Sequence, residues 1–107
     1  MRVQDEPFDL AHEVAEAVGV RCHVVNGATL IACDDADAFL AGCLDAGVRV
    51  IGAEGFELID GSRRPDMRAM LDLGDLTDPT RSAAEAGEFV SSVCRSGLLL
   101  EFQLERR

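Results

Sequence analysis

A two-layer α/β fold of the α+β type is predicted by three features of the sequence. Apolar residues recur at helical spacing in three segments, β-branched and apolar runs too short for helices lie between them, and an Asn-Gly dipeptide joins two of those runs at hairpin spacing. Along 107 residues this gives the order αββαββαβ, with about three helices packed on a mostly antiparallel or mixed sheet of four to five strands. The length suits a single domain over residues 1–107. A chain of that size buries roughly two thirds of its unfolded surface, enough for a core without metal or disulfide support.

The first helix is expected over residues 7–18, where Ala11, Val14, Ala15 and Val18 share a face, Pro7 suits a first turn and Gly19 follows the last. Val20 to Val25 and Ala28 to Ala32 read as strands around Asn26-Gly27, which supplies the positive φ angles of a two-residue hairpin turn. In DDADAFLAGCLDAG, Asp34 is the expected cap of a second helix, and Asp35 and Asp37 favour its positively polarised first turn. Phe39, Leu40, Cys43 and Leu44 form its apolar face, and Gly47 ends it. Val48 to Ile51 and Phe56 to Ile59 read as two strands followed by an Asp60-Gly61 turn. Residues 62–78 fit either a helical turn or an irregular strand that packs Met67, Met70, Leu71, Leu73 and Leu76. Ser82 and Glu85 stand at capping-box spacing before Ala86, Phe89, Val90, Val93 and Cys94, the stripe of a third helix that Gly97 terminates. In the closing LLLEFQLE, Leu100, Phe102 and Leu104 alternate with Glu101, Gln103 and Glu105, so one face is buried and the other polar.

Charge narrows the function. Twenty carboxylates against ten arginines and no lysine give a net charge of −10, a field that repels nucleic acid and anionic membranes within about 8–10 Å at physiological salt. A basic protein would be attracted; solubility is the other reading of the same acidity. MRVQDEPFDL lacks the apolar core of a signal peptide, and no apolar run approaches the ~20 residues of a membrane span, so the chain reads as cytoplasmic. Cys22, Cys33, Cys43 and Cys94 sit in apolar stretches without C-x-x-C spacing. They read as buried, reduced thiols, although their even number permits two disulfides.

Catalytic chemistry has no signature in the chain. His23 follows Cys22 on a strand, where neighbours face opposite ways, so the two do not form a thiol–imidazole dyad. Asp34, Asp35 and Asp37 lack the glycine and distal glutamate of a calcium loop, and no phosphate loop, G-x-S-x-G or H-E-x-x-H occurs. The expectation is a binding protein, not an enzyme, with no cofactor and no metal.

Residues 38–60 carry a resemblance. A helix of Ala/Phe/Leu pattern ending in Asp-Ala-Gly, then the strand VRVIGAEGF with its Gly-x-Glu-Gly, resembles small acidic bacterial immunity proteins that neutralise nuclease toxins, including inhibitors of tRNA-cleaving colicins. Pro65-Asp66-Met67, the acidic run Asp72 to Asp75, and the closing strand with E-F-Q-L resemble proteins of toxin–immunity neighbourhoods. The resemblance implies a cognate basic toxin as partner, a nuclease domain whose cationic surface holds polyanionic substrate and is occupied instead by carboxylates.

The partner-binding residues expected on that reading are Glu54, Glu57, Asp60, Asp66, Asp72 and Asp75, forming one acidic edge, with Glu54 held between two flexible glycines. Arg63 and Arg64 would pair with carboxylates of the partner or of this chain. Ordered backbone would fix these charges so that little entropy is lost on docking. The alternative is a small ligand-binding or regulatory α/β domain, dimeric through the exposed edge of its final strand.

Overall fold

In a computed structural model that describes residues 10–25 and 27–106, the side chains of Arg63 and Met67 excepted, the elements follow the letter order αββαββαβ, although the second strand after α2 is not the one expected at Phe56 to Ile59. It runs α1 (Leu10–Val18), β1 (Cys22–Val25), β2 (Ala28–Ala32), a 3-10 turn (Cys33–Asp35), α2 (Ala36–Asp45), β3 (Val48–Ile59), β4 (Ser62–Asp72), α3 (Pro79–Val93) and β5 (Leu99–Arg106). The strands form one antiparallel sheet in the order β1-β2-β5-β3-β4. The last strand in sequence therefore lies between β2 and β3, paired with β3 along its whole length. On the β2 side its pairing is limited to Leu99 and Leu100.

The helices cover one sheet face. Ala11, Val14 and Ala15 of α1, Phe39, Leu40 and Cys43 of α2, and Ala86 and Val90 of α3 meet Ile31, Val48, Val50, Ala53, Leu100 and Phe102. Phe39 stacks on Phe102 with ring centroids 5.1 Å apart, pinning α2 to the central strand. Helices α1 and α2 approach closely because Gly42 has no side chain: a Cβ there would lie 2.6 Å from a Val18 methyl. A smaller cluster, Ala28, Leu30, Phe56 and Leu99, is buried on the opposite sheet face.

The largest departure from expectation is in β3. The two expected strands are one, because Gly52, Ala53, Glu54 and Gly55 are paired on both sides, to β4 and to β5. Glu54 is thus held in a strand interior and not between flexible glycines. Pairing with β5 shifts register between Val50 and Gly52, so Ile51 is an extra residue, a bulge. Such an insertion inverts the two-residue parity of everything after it. Val48 and Val50 face the helices, and beyond the bulge Ala53, Gly55 and Glu57 do, leaving Glu54, Phe56 and Leu58 on the far face.

Residues 62–78, ambiguous in sequence, split at Asp72. Up to there they are strand β4, which accommodates three extra residues between Asp66 and Met70. After it, a short loop is held by bonds from Leu73 N–H to the Ile51 carbonyl (2.9 Å) and from Leu76 N–H to that of Leu73 (3.0 Å). The edges of the sheet are blunted. β1 has four residues, and β4 carries Pro65, charged side chains and its bulge.

Helix boundaries differ in part from those expected. Asp78 caps α3, accepting from Thr80 N–H at 3.0 Å, with Pro79 as first helical residue. Ser82 lies one turn inside, fully buried, its hydroxyl donating to the Leu76 carbonyl at 3.3 Å. Gly97 sits at φ +86° in the turn after α3, which already ends at Cys94. Asp34 belongs to the 3-10 turn and does not cap α2. The cysteine reading also needs correction: Cys33 and Cys94, 61 positions apart in sequence, form a disulfide with Cα atoms 5.6 Å apart. Cys22 and Cys43 are free thiols. The 3-10 turn before α2 and the end of α3 arrive side by side, a proximity that sequence spacing does not encode. Among the described residues no helix is long and apolar enough to cross a membrane.

Candidate functional site

The face of the sheet away from the helices displays a short row of polar groups across its last strands. Register places Glu101 of β5 directly opposite Glu54 of β3, and Glu54 opposite Met70 of β4. The adjacent row runs Gln103, Gly52, Asp72. Two carboxylates thus occupy directly opposed strand positions, where like charges left uncompensated repel. Both are half-buried.

Between these rows lies a groove of about 360 Å³ lined by Ile51, Gly52, Glu54, Met70, Leu71, Asp72 and Gln103. Gly52 keeps its floor at backbone level, since a Cβ there would stand 2.8 Å from the Gln103 amide oxygen and 2.9 Å from the Leu71 carbonyl. Asp72 is oriented by Gly74 N–H, which donates to Oδ1 at 2.9 Å. Met70 is 50% exposed and Leu58, further along the same face, 41%.

The expected acidic edge is divided by parity. Glu54 and Asp72 line the groove on the open face, whereas Glu57 and Asp66 point to the helix side. There Arg95, just past α3, bridges them at 2.8 Å and 2.9 Å. Asp66 also accepts from Arg68 N–H at 3.0 Å. That backbone bond, followed by the Arg95 guanidinium, holds its carboxyl below the ordinary aspartate range. Asp60 is at the β3–β4 turn, with φ +53°, and Asp75 is exposed in the loop after β4. Neither adjoins the groove. Arg64 is exposed on β4 opposite Glu57, and the side chain of Arg63 lies outside the described residues. Among the described residues, Glu54 and Asp72 meet in the groove, and Glu57 and Asp66 meet at Arg95 on the other face.

Other polar groups have structural partners. Arg49, 12% exposed, donates Nε to Glu105 at 3.0 Å and a terminal N–H to the Leu76 carbonyl, tying the loop after β4 to the sheet. Arg106 pairs with Glu13 of α1 at 3.0 Å, and His12 lies 3.5 Å from Glu16. Beside the disulfide a second hollow, about 310 Å³, is lined by residues 32–34 and 94–99. Among the described residues no three His, Cys, Asp or Glu side chains gather as metal ligands.

Glu101, Gln103, Met70 and Ile51 were not expected at a site. Alternation in LLLEFQLE already put Glu101 and Gln103 on the polar face. What the chain does not reveal is that β3 lies beside them, or that a bulge turns Glu54 the same way. No protein-family model, curated protein or solved structure matches this chain.

Proposed function

We propose that the protein is a non-enzymatic binding module that takes a basic protein surface onto its open sheet face, and that this partner is a cationic nuclease toxin which it inhibits as an immunity protein. One observation carries the reading. Glu54 and Asp72 line one groove on the open sheet face, with Glu101 in register opposite Glu54, a concentration of negative charge that a docking cation would offset. A net charge of −10 steers a basic partner from a distance, and the exposed Met70 and Leu58 add apolar area to exclude water around the charges.

Charge reversal tests it. Glu54→Arg with Asp72→Arg, co-expressed with the toxin of the adjacent gene, is expected to abolish protection, while Glu16→Arg with Glu88→Arg on exposed helix faces leaves it intact. Equal protection by both folded pairs would move the interface elsewhere.

A cytoplasmic location belongs to the same reading, and Cys33 and Cys94 bear on it. Persistent disulfides mark oxidising compartments, so a pair found reduced after alkylation at the moment of lysis supports the cytoplasm. A fully oxidised pair argues for an inhibitor that acts outside it. A second reading, a small ligand-binding domain, is favoured by the groove alone, whose volume is at the lower end of the ~300–1,000 Å³ usual for ligand sites.

A further inference from the structure

We infer that the groove over Gly52 is an arginine pocket: it receives the side chain of one exposed arginine of a basic protein partner, with the aliphatic stem against Ile51 and Met70 and the guanidinium between the carboxylates of Glu54 and Asp72. The inference rests on the open sheet face being the binding face, and it names the chemical group that face selects.

The groove is neither apolar nor simply acidic. Its walls combine Ile51 and Met70 with two carboxylates and the Gln103 amide. That mixture suits a side chain with a hydrocarbon stem and a cationic head. Glu54 and Asp72 occupy diagonal positions on the paired strands β3 and β4, because Glu54 is opposite Met70 and Asp72 is opposite Gly52. Diagonal neighbours stand roughly 7–8 Å apart. A planar guanidinium, with five N–H donors spread over two edges, can donate to both carboxylates at once, whereas a compact and strongly hydrated ammonium satisfies one and leaves the other.

Two further features keep the pocket open and aimed. Gly52 supplies a floor that any Cβ would raise into Gln103 and the Leu71 carbonyl. Gly74 N–H fixes Asp72 through one carboxylate oxygen. None of the ion pairs among the described residues uses Glu54 or Asp72. Arg49, Arg95 and Arg106 are committed to Glu105, to Glu57 with Asp66, and to Glu13. With Glu54 and Asp72 in none of these pairs, charge complementarity points to a cation, and the acidity of the whole chain favours one borne on a basic protein.

The test uses the intact protein and three blocked tripeptides, Gly-Arg-Gly, Gly-Lys-Gly and Gly-citrulline-Gly, titrated while backbone amide resonances are followed by NMR. The arginine peptide is expected to give saturable shifts concentrated at Gly52, Glu54, Asp72 and Gln103. It should bind at least about tenfold tighter than the citrulline peptide, which keeps the shape and loses the charge. The double variant Glu54→Gln with Asp72→Asn should weaken arginine binding about tenfold while the spectrum keeps its folded dispersion. Shifts of equal size around Asp37 and Glu88, equal affinity for arginine and citrulline, or no saturable shift at the groove would each overturn the inference. The outcome is separable from the immunity reading. A chain that binds the arginine peptide but fails to protect against the toxin keeps the pocket and loses the toxin. Protection undiminished in the double variant, without peptide shifts, does the reverse.

Discussion

At Glu54 the demands of stability and of the proposed binding differ. Register sets it opposite Glu101, and an uncharged residue there would remove any like-charge repulsion across the strand pair. Glu54→Gln, which keeps the shape, is therefore expected to raise the free energy of unfolding by about 0.2–1 kcal/mol in urea titrations, while weakening partner binding. No gain would mean that the pair is already neutralised in the folded chain. Gly55, one residue on, is constrained by packing: a Cβ would stand 2.7 Å from that of Ala69 and 3.2 Å from Leu98. Gly55→Ala should cost about 1–3 kcal/mol, read by the same titration. Asp66 makes a pH prediction. Its folded pKa is lowered, so its contribution is complete above the unfolded value of about 3.9 and is lost as pH falls through the folded value. The stability difference between the wild type and Asp66→Asn should then be constant near neutrality and shrink on acidification. A difference that grows with acid would contradict the assignment.

At the scale of elements, the disulfide and the loop after β4 decide how the layers hold together. Cys33–Cys94 joins the turn before α2 to the end of α3 across 61 residues, and closing a loop of that length in the unfolded chain stabilises the fold by up to about 4 kcal/mol. Reduction, or Cys33→Ser with Cys94→Ser, is expected to cost about 2–4 kcal/mol. In denaturant without reductant, two thiols per chain should titrate, those of Cys22 and Cys43. Under native conditions Cys22 should react first. Burial pushes the Cys43 thiol up to about 12, so it holds almost no thiolate at neutral pH. Finding four thiols would show that the bridge does not form. Arg49 works differently, linking β3 to Glu105 of β5 and to the loop carbonyl of Leu76, which Ser82 also uses. That loop leads from Asp72 into α3, so Arg49 helps to set both the groove wall and the helix.

For the whole molecule, the proposed binding assigns the rate of encounter to charge and its geometry to the sheet. A net charge of −10 predicts that association with a basic partner slows steeply with added salt while dissociation, governed by the groove and the apolar rim, changes less. Stopped-flow measurements across a salt series check this, and a salt-independent association rate would leave acidity as a solubility feature. The sequence by itself determined what is local. The helical stripes of α1, α2 and α3 follow from residues three and four apart. The β1–β2 hairpin follows from a two-residue connection, and the two-sided character of β5 from simple alternation. Even there the capping of α3 was misassigned, because Ser82 with Glu85 has capping-box spacing but Asp78 with Pro79 provides the cap. The tertiary structure alone decided the rest. Gly52 to Gly55 look like a break, yet they are strand because β4 and β5 pair with them on both sides. The bulge at Ile51 is set by register against β5, about fifty residues later in the chain, and it determines which carboxylates face outward. Glu54 and Asp72 thus share a groove with Gln103, while Glu57 and Asp66 are drawn to Arg95. Periodicity is carried by neighbours in the chain, whereas the parity of a bulged strand and the meeting of Cys33 with Cys94 are set by partners distant in sequence, which no short window of residues contains.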